Sequence, residues 1–321
     1  MATPSTVFTE MVTASLRHVA SELADNVSKH NALLNIMKRK GKFQSIDGGY
    51  EIQMPLEYAE NGTYQRYAGY EQLNTAASDV LTSAKYDWKQ AAVHVTASGR
   101  EIRQNTGDAQ IINLVKTRIK NAVKTAANNL SVDIFSDGTL ANQIGGLAHI
   151  VTSDGTGTVG GIDASVFPFW KNKFREIPGT DAYTSATFKN EMNALWLSCV
   201  RGTDNPDVIV MSHDFYSTYE AGLQDRARYA DVNTAQDGFI TLKYKGADVI
   251  FDDNANFATT AETAYFLNTN YIYMIQHRDA QFSPDDAKKP VNQDAIVVPL
   301  YWMGNLVCTN RALQGKLIDA S

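Results

Sequence analysis

The chain has 321 residues, 44% apolar and 20% charged, which excludes a disordered polyelectrolyte and leaves ample material for a buried core. At about 150 residues per domain, the length points to two domains or to one with large extensions. Its 29 Lys and Arg against 35 Asp and Glu give a net charge of −6, against a duplex-coating role, and two cysteines, Cys199 and Cys308, exclude a disulfide scaffold and fit a reducing compartment.

From Val7 to Val27, Phe8, Met11, Val12, Leu16, Val19, Leu23 and Val27 recur at steps of three and four, which predicts a one-faced helix. A lone amphipathic helix has no core of its own, so its stripe must lie on the body of this chain or of a neighbour. The run Lys38-Arg39-Lys40-Gly41-Lys42 reads as the solvated end of a helix, with a nucleic-acid patch as the sharper alternative. The N-terminal stretch has no early basic cluster and no continuous apolar core, so no secretory signal is expected there. The longest apolar run, Ala295 to Met303, contains Pro299 and is far short of the ~20 residues of a membrane helix, so no membrane partner is expected.

Tyr50, Ile52, Met54 and Leu56 alternate with polar residues, the period of a half-buried strand, and Asn61-Gly62 marks a turn. Tyr58, Tyr64, Arg66, Tyr67 and Tyr70 populate the following stretch, and a second strand carries Tyr86 and Trp88, then Val93 and Val95. The change of phase between those pairs predicts a bulge near Gln90. The whole reads as a long two-stranded ribbon with an aromatic tip, which needs a surface to lie on.

A long helix is predicted from Asp108 to Phe135, with Ile111, Val115, Ile119, Val123, Ala126, Leu130 and Ile134 on its apolar face. Lys116, Lys120 and Lys124 line the opposite side at steps of four; an acidic neighbour or plain solvent would each suit them. Glycine-rich turns follow, then a helix from Ser185 to Cys199, a strand from Asp207 to Met211 and a helix from His213 to Leu223. Strand patterns recur at Phe239 to Tyr244, Ala247 to Phe251, Tyr265 to Gln276, Ala295 to Tyr301 and Leu306 to Arg311. Helices and strands alternate without a βαβ rhythm, so the expected class is α+β.

Motifs for chemistry fail on context. Gly155-Thr-Gly157-Thr-Val-Gly160 has the dinucleotide spacing, but Gly161 and Pro168 stand where a helix should open, so it reads as a flexible turn-rich loop. Asp252-Asp-Asn254-Ala-Asn256 alternates oxygen side chains but has Phe257 and Thr263 where a calcium loop needs glycine and glutamate. Ser212-His213-Asp214 are consecutive and cannot converge on one hydrogen-bond line. The six histidines show no ligand spacing. No catalytic, cofactor-binding or metal residue is assigned, and no cofactor is expected.

In order, the elements resemble the major capsid protein of tailed double-stranded DNA bacteriophages, the Hong Kong 97 type of capsid fold. Ile144-Gly-Gly-Leu147, Gly157-Thr-Val-Gly-Gly-Ile-Asp163 and Phe169-Trp170-Lys-Asn172 are similar to a run found in one branch of these coats. Asn205-Pro-Asp-Val-Ile-Val210 resembles the start of the axial domain, and Leu306-Val-Cys-Thr-Asn310 with Gly315-Lys-Leu317 the closing segment. The resemblance implies an N-terminal arm at 1–47, an extended loop at 48–86, a peripheral domain at 87–144 with spine helix 108–135, an axial domain at 145–264, and strands completing both at 265–321.

It further implies self-assembly as hexamers and pentamers into an icosahedral head in the bacterial cytoplasm. Phe8, Leu16, Tyr58, Tyr64, Arg66, Tyr67, Tyr70, Lys116, Lys120 and Lys124 are the expected subunit-interface residues. Partners would be a portal, a decoration protein, packaged double-stranded DNA without sequence-specific contacts, and, since Met1 lies just before the arm, a separate scaffolding protein. Some relatives cross-link subunits through an extended-loop lysine; here no lysine occurs between Lys42 and Lys85, so the ribbon tip lacks one. The alternatives are an encapsulin-like bacterial compartment shell and, from another class, an enzyme with a dispersed site.

Overall fold

The computed structural model describes residues 32–104, 114–178, 184–223, 242–252 and 262–319. The N-terminal helix expected at Val7 to Val27, and with it Phe8 and Leu16, lies outside them. The first half of the described chain runs α1 (Ala32–Arg39), β1 (Phe43–Ile46), β2 (Ile52–Glu57), β3 (Leu81–Tyr86), β4 (Lys89–Ser98), α2 (Gly99–Gln104), α3 (Leu114–Asp133), α4 (Leu147–Ile150), β5 (Thr158–Val159) and β6 (Ile162–Asp163). Then follow β7 (Lys173–Ile177), α5 (Ser185–Cys199), β8 (Val208–Met211), α6 (His213–Ala221), β9 (Leu242–Tyr244), β10 (Ala247–Phe251), β11 (Thr263–Leu267), β12 (Ile272–Pro284), β13 (Ala295–Cys308) and β14 (Gly315–Asp319).

Two sheets carry the body. One has four strands in the order β1-β12-β13-β4, the other six in the order β7-β14-β11-β8-β10-β9. Both mix parallel and antiparallel neighbours, as in the α+β class; β8 and β10 are parallel neighbours with α6 between them in the chain. β8 and β11 are buried along their whole length because both faces are covered. On one side Phe188, Leu195 and Phe215 of α5 and α6 pack on Ile209 and Phe266; on the other, Val210 and Tyr265 belong to a core that reaches α1 and the ribbon.

α1 buries Leu33, Ile36 and Met37 in that core, each contributing roughly 1.5–3 kcal/mol of transfer energy, so this helix packs on the body. The basic run that ends α1 is correspondingly less solvated than its composition implies: Lys40 Nζ donates to Asp207 Oδ2 at 2.6 Å, and Lys42 Nζ to Asn270 Oδ1 at 3.1 Å.

Four sequence expectations are corrected. There is no bulge at Gln90: β4 pairs with β13 without interruption from Lys89↔Gly304 to Ser98↔Ala295. The change of phase arises because β3 and β4 belong to different sheets and the chain turns between them at Asp87 and Trp88. The apolar stretch Tyr265 to Gln276 is likewise two strands, split by a 3₁₀ turn at Thr269–Tyr271 that carries the chain from one sheet to the other. Conversely, Ala295 to Arg311 holds one 14-residue strand, because Asn305, which looks like a break, is buried with both side-chain ends bonded, Nδ2 to Asp87 O and Oδ1 to Gly145 N.

The fourth correction concerns α3. Ala122 packs with Val95, Val298 and Leu300 of the sheet, with Ile119 against the same cluster, and Ala126 is buried. Ile119, Ala126, Leu130 and Ile134 of the expected stripe are buried or half-buried, and the departure is confined to one position, where Ala122 takes the place expected of Val123. Val123 is consequently 41% exposed, on the side of Lys120.

Candidate subunit interface

β2 and β3 form the ribbon root, in register from Ile52↔Tyr86 to Glu57↔Leu81. Alternation puts Ile52, Leu56, Ala84 and Tyr86 on one buried face and Gln53, Glu57 and Lys85 on the outer one. The buried face rests on the β5–β6 hairpin. Gly160 and Gly161 turn this hairpin at φ +60° and +74°, a region glycine enters freely. A Cβ on Gly160 would stand 2.8 Å from that of Ala84, and its carbonyl accepts the Lys85 amide at 2.9 Å, so the ribbon seats directly on glycine backbone.

The dinucleotide-like loop is thus a cradle, and the flexible loop expected from its composition is corrected. Buried side chains hold its backbone from three directions. Arg311, with 0% exposure, donates through Nε to Ile150 O, through Nη2 to Thr156 O at 2.7 Å and Thr152 Oγ1 at 2.9 Å, and through Nη1 to Gly157 O at 3.3 Å. Trp170 Nε1 donates to Val159 O at 3.0 Å, and Asn172 Nδ2 to Thr152 O at 2.8 Å. Burial pushes the Arg311 guanidinium below its ordinary pKa, partly countered by the neighbouring Cys308, Tyr86 and Asp154. Sequence reasoning found Trp170 and Asn172 as motif residues; Arg311 gave no signal, because its partners are more than 150 positions away.

Two further bonds fix the root. Trp88 Nε1 donates to Gly49 O at 2.9 Å, tying the ribbon's entry to its exit, and the Tyr86 hydroxyl bonds Cys308. Burial pushes that phenol well above its ordinary pKa, so it stays protonated and can donate.

Beyond Tyr58, whose amide donates to Val80 O at 3.0 Å, the two sides of the ribbon part into a tip held by polar side chains. Gln65 spans it, donating from Nε2 to Gln72 O and accepting the Asn74 amide at Oε1, each at 3.2 Å. Asn61 Oδ1 accepts the Thr63 amide at 3.0 Å. The tyrosines take no part: Tyr64 and Tyr70 are 82% and 106% exposed, and Tyr67 and Arg66 are exposed beside them. Such a group of aromatic rings in water is unusual for a surface without a partner.

The remaining interface candidates stand apart from the tip. Tyr58 packs its ring on Phe169 of its own chain, centroids 5.6 Å apart. Lys116, Lys120 and Lys124 are on α3; Lys120 is exposed and Lys124 half-buried, while the side chain of Lys116 lies outside the described residues. The structure adds exposed Tyr50, Leu81, Leu140, Val166 and Val291, which the sequence reading missed. Leu140 stands in a polar turn, where an apolar residue out of place was the available signal.

Among the described residues, no three His, Cys, Asp or Glu side chains group as metal ligands. Ser212 is buried and accepts the Thr263 amide at 3.2 Å, while His213 and Asp214 are exposed and lie 3.5 Å from each other, so the hydroxyl is separated from the other two.

No family model and no curated protein matches the chain. Solved structures do. The capsid asymmetric unit of cyanophage A-1(L) aligns with a TM-score of 0.64 at 16% identity, covering 94% of this chain and 96% of the other. The capsid of Myoviridae phage XM1 aligns at 0.58 and 14% identity, covering 95% and 97%. The fold is the Hong Kong 97 type capsid fold. The holo-SrpI encapsulin complex of Synechococcus elongatus shares it at a TM-score of 0.57 and 6% identity, covering 93% and 92%. The capsid fold therefore accounts for nearly the whole chain and agrees with the α+β class expected from the order of its elements.

Proposed function

We propose that this chain is a shell subunit, the major capsid protein of a tailed double-stranded DNA bacteriophage. It assembles as hexamers and pentamers into an icosahedral head, formed in the bacterial cytoplasm around a portal and a separate scaffolding protein. The head then encloses DNA without sequence-specific contacts and takes a decoration protein on its outside. Residues 87–144 and the β12–β13 pair form the peripheral domain, 145–264 with β14 the axial domain, 48–86 the extended loop and 1–47 the N-terminal arm.

The ribbon carries this reading. It projects exposed tyrosines on a polar frame from a root anchored by buried hydrogen bonds, an arrangement suited to covering a neighbouring copy. Light scattering and electron microscopy of the purified chain with its scaffolding protein test it. Closed particles are expected, and replacing residues 59–79 by a short turn should spare the folded subunit and abolish them. A monodisperse monomer at high concentration would overturn the proposal.

The encapsulin match supports a second reading, a bacterial compartment around an enzyme cargo. Particle contents discriminate: packaged DNA favours the phage head, a co-purifying enzyme the compartment.

A further inference from the structure

One local arrangement recurs in the turns at Asn61-Gly62-Thr63, Asp137-Gly138-Thr139 and Asp154-Gly155-Thr156. In the first, Asn61 Oδ1 accepts the Thr63 amide at 3.0 Å and the Thr63 hydroxyl at 2.8 Å. In the second, Asp137 Oδ1 accepts the same two groups of Thr139 at 3.1 and 2.8 Å. In the third, the Thr156 amide donates to Asp154 Oδ1 at 3.0 Å and its hydroxyl to Oδ2. The threonine donors hold both carboxyls below their ordinary pKa, Asp154 at about 2. This turn therefore suits an ionised aspartate, and at the ribbon tip the same frame holds a neutral asparagine.

Asn61-Gly62 is the one Asn-Gly pair of the chain. Both residues are exposed, and the Gly62 amide reaches Ser78 Oγ at 3.4 Å, beyond the usual range of a hydrogen bond. Gly62 lies outside the left-handed region, and a Cβ on it would meet nothing within 4 Å. The fold does not require glycine at this position. What glycine provides is an unscreened backbone nitrogen next to an amide carbon whose oxygen already carries two donors.

We propose that Asn61 is a self-modifying site, at which the Gly62 amide nitrogen attacks the side-chain carbon Cγ and converts the asparagine to aspartate. The amide gives its proton to hydroxide and its nitrogen bonds to Cγ, while the negative charge that develops on Oδ1 is held by the N–H and O–H of Thr63. The Cγ–Nδ2 bond then breaks, Nδ2 takes a proton from water and leaves as ammonia, and a cyclic imide remains. Water opens the imide. Cleavage between Gly62 N and Cγ gives aspartate, and cleavage between Gly62 N and the Asn61 carbonyl carbon gives isoaspartate. The sum is asparagine plus water to aspartate plus ammonia, with no oxidant or reductant. The aspartate keeps the threonine donors, as Asp137 and Asp154 do, whereas isoaspartate reroutes the chain through the side-chain carbon and loses the turn.

The tip thereby gains a negative charge beside the exposed Tyr64. The consequence for assembly rests on the shell reading: the charge falls on the surface that covers a neighbouring copy, where an unpaired charge is costly to bury. Conversion would then mark subunits that stay free too long.

The full chain is held in mildly alkaline buffer and digested with trypsin, which cuts after Lys42, Arg66 and Lys85 and so puts Asn61 and Asn74 on separate peptides. Mass spectrometry reads the exchange of the side-chain NH2 for OH. Asn74 is the internal control, because its Oδ1 also accepts a backbone amide, that of Ala76 at 3.0 Å, but the branched side chain of Thr75 screens the next nitrogen. Conversion at Asn61 is expected at least about tenfold faster than at Asn74, slowed at least about tenfold by Gly62→Ala and several-fold by Thr63→Val. Equal rates at the two asparagines, or no slowing in Gly62→Ala, would overturn the proposal, and an unchanged rate in T63V would overturn the part given to threonine. The thermal midpoint of Asn61→Asp should match that of the parent chain; a fall would show that the turn does not suit the product. Particle yield separates the chemistry from its consequence. A lower yield from N61D supports the mark and an equal yield overturns its effect on assembly, while particles from neither chain remove the shell reading and leave the modification.

Discussion

The hydroxyl of Tyr86 donates to the carbonyl oxygen of Cys308 at 2.8 Å and accepts the Cys308 amide at 3.2 Å. β4 pairs with β13 only up to Gly304, so beyond it the β13 backbone has no strand on that side. One phenol stands in for the missing ladder rung and bolts the ribbon root to the body.

Tyr86→Phe keeps the buried ring and leaves both Cys308 groups unpaired. The expected cost is about 2–3 kcal/mol, the usual penalty for orphaned buried polar groups. Urea unfolding of the soluble subunit measures it as a lower midpoint at unchanged slope. An unchanged midpoint would show that water replaces the hydroxyl at no cost.

Arg311 gives a second, larger effect. Its guanidinium gathers three carbonyls and a hydroxyl from residues 150–157, and lysine, a point charge without the planar fork, cannot reproduce that geometry. Arg311→Lys and Arg311→Met should each destabilise the subunit by roughly 3–5 kcal/mol, since the cradle loop loses its donors. Limited proteolysis should then cut between Thr152 and Gly161. Resistance equal to the parent chain would mean that Trp170 and Asn172 suffice to hold the loop.

Much of this was readable in the sequence, and the failures share one cause. The regular elements with a clear period, α5, β8 and β10, lie where the pattern puts them. Where one apolar run crosses from sheet to sheet, as at Asp87-Trp88 and Asn268 to Tyr271, local periodicity registers a bulge or a single strand, because which neighbour covers a face is decided by distant residues. The ribbon tip was legible for the opposite reason. Its tyrosines are exposed, so their place followed from the absence of any pattern that would bury them. The Arg311 cradle could not be read at all, because carbonyl acceptors leave no trace in side-chain identity.

Acid should weaken the subunit through α3. Partial burial works against ionisation of Glu101, but hydrogen bonds from Arg118 and Ser98 outweigh it and hold the carboxyl below its ordinary value of 4.5. Asp154, bonded by Thr156, is lowered from 3.8 to about 2. A carboxyl depressed on folding stabilises the protein above its unfolded value, and that contribution is lost as pH falls through the folded one. The thermal midpoint should therefore drop from pH 4.5 down toward 2. Glu101→Gln should cost roughly 1–3 kcal/mol at pH 7 and make the upper part of that drop shallower. An acid limb of unchanged slope in the variant would remove Glu101 from the account.

The shell should hold together without covalent links through the ribbon. In capsid relatives that cross-link, an extended-loop lysine attacks an asparagine side chain across the interface, which needs an amine that reaches the neighbour and loses its proton. No lysine occurs between Lys42 and Lys85, and Lys85 sits at the root, paired with Glu51 at 3.2 Å. The basic residue of the tip is Arg66, whose guanidinium stays protonated and cannot act as the nucleophile. Cohesion must come from burying exposed groups such as Tyr64, Tyr67 and Tyr70, at ~25 cal/mol for each Å² of apolar surface, repeated at every interface of the shell. Mature particles boiled in detergent should give one band near 35.4 kDa. A ladder of dimers to hexamers that survives reductant would refute this, and would require an amine outside the ribbon to reach across the interface.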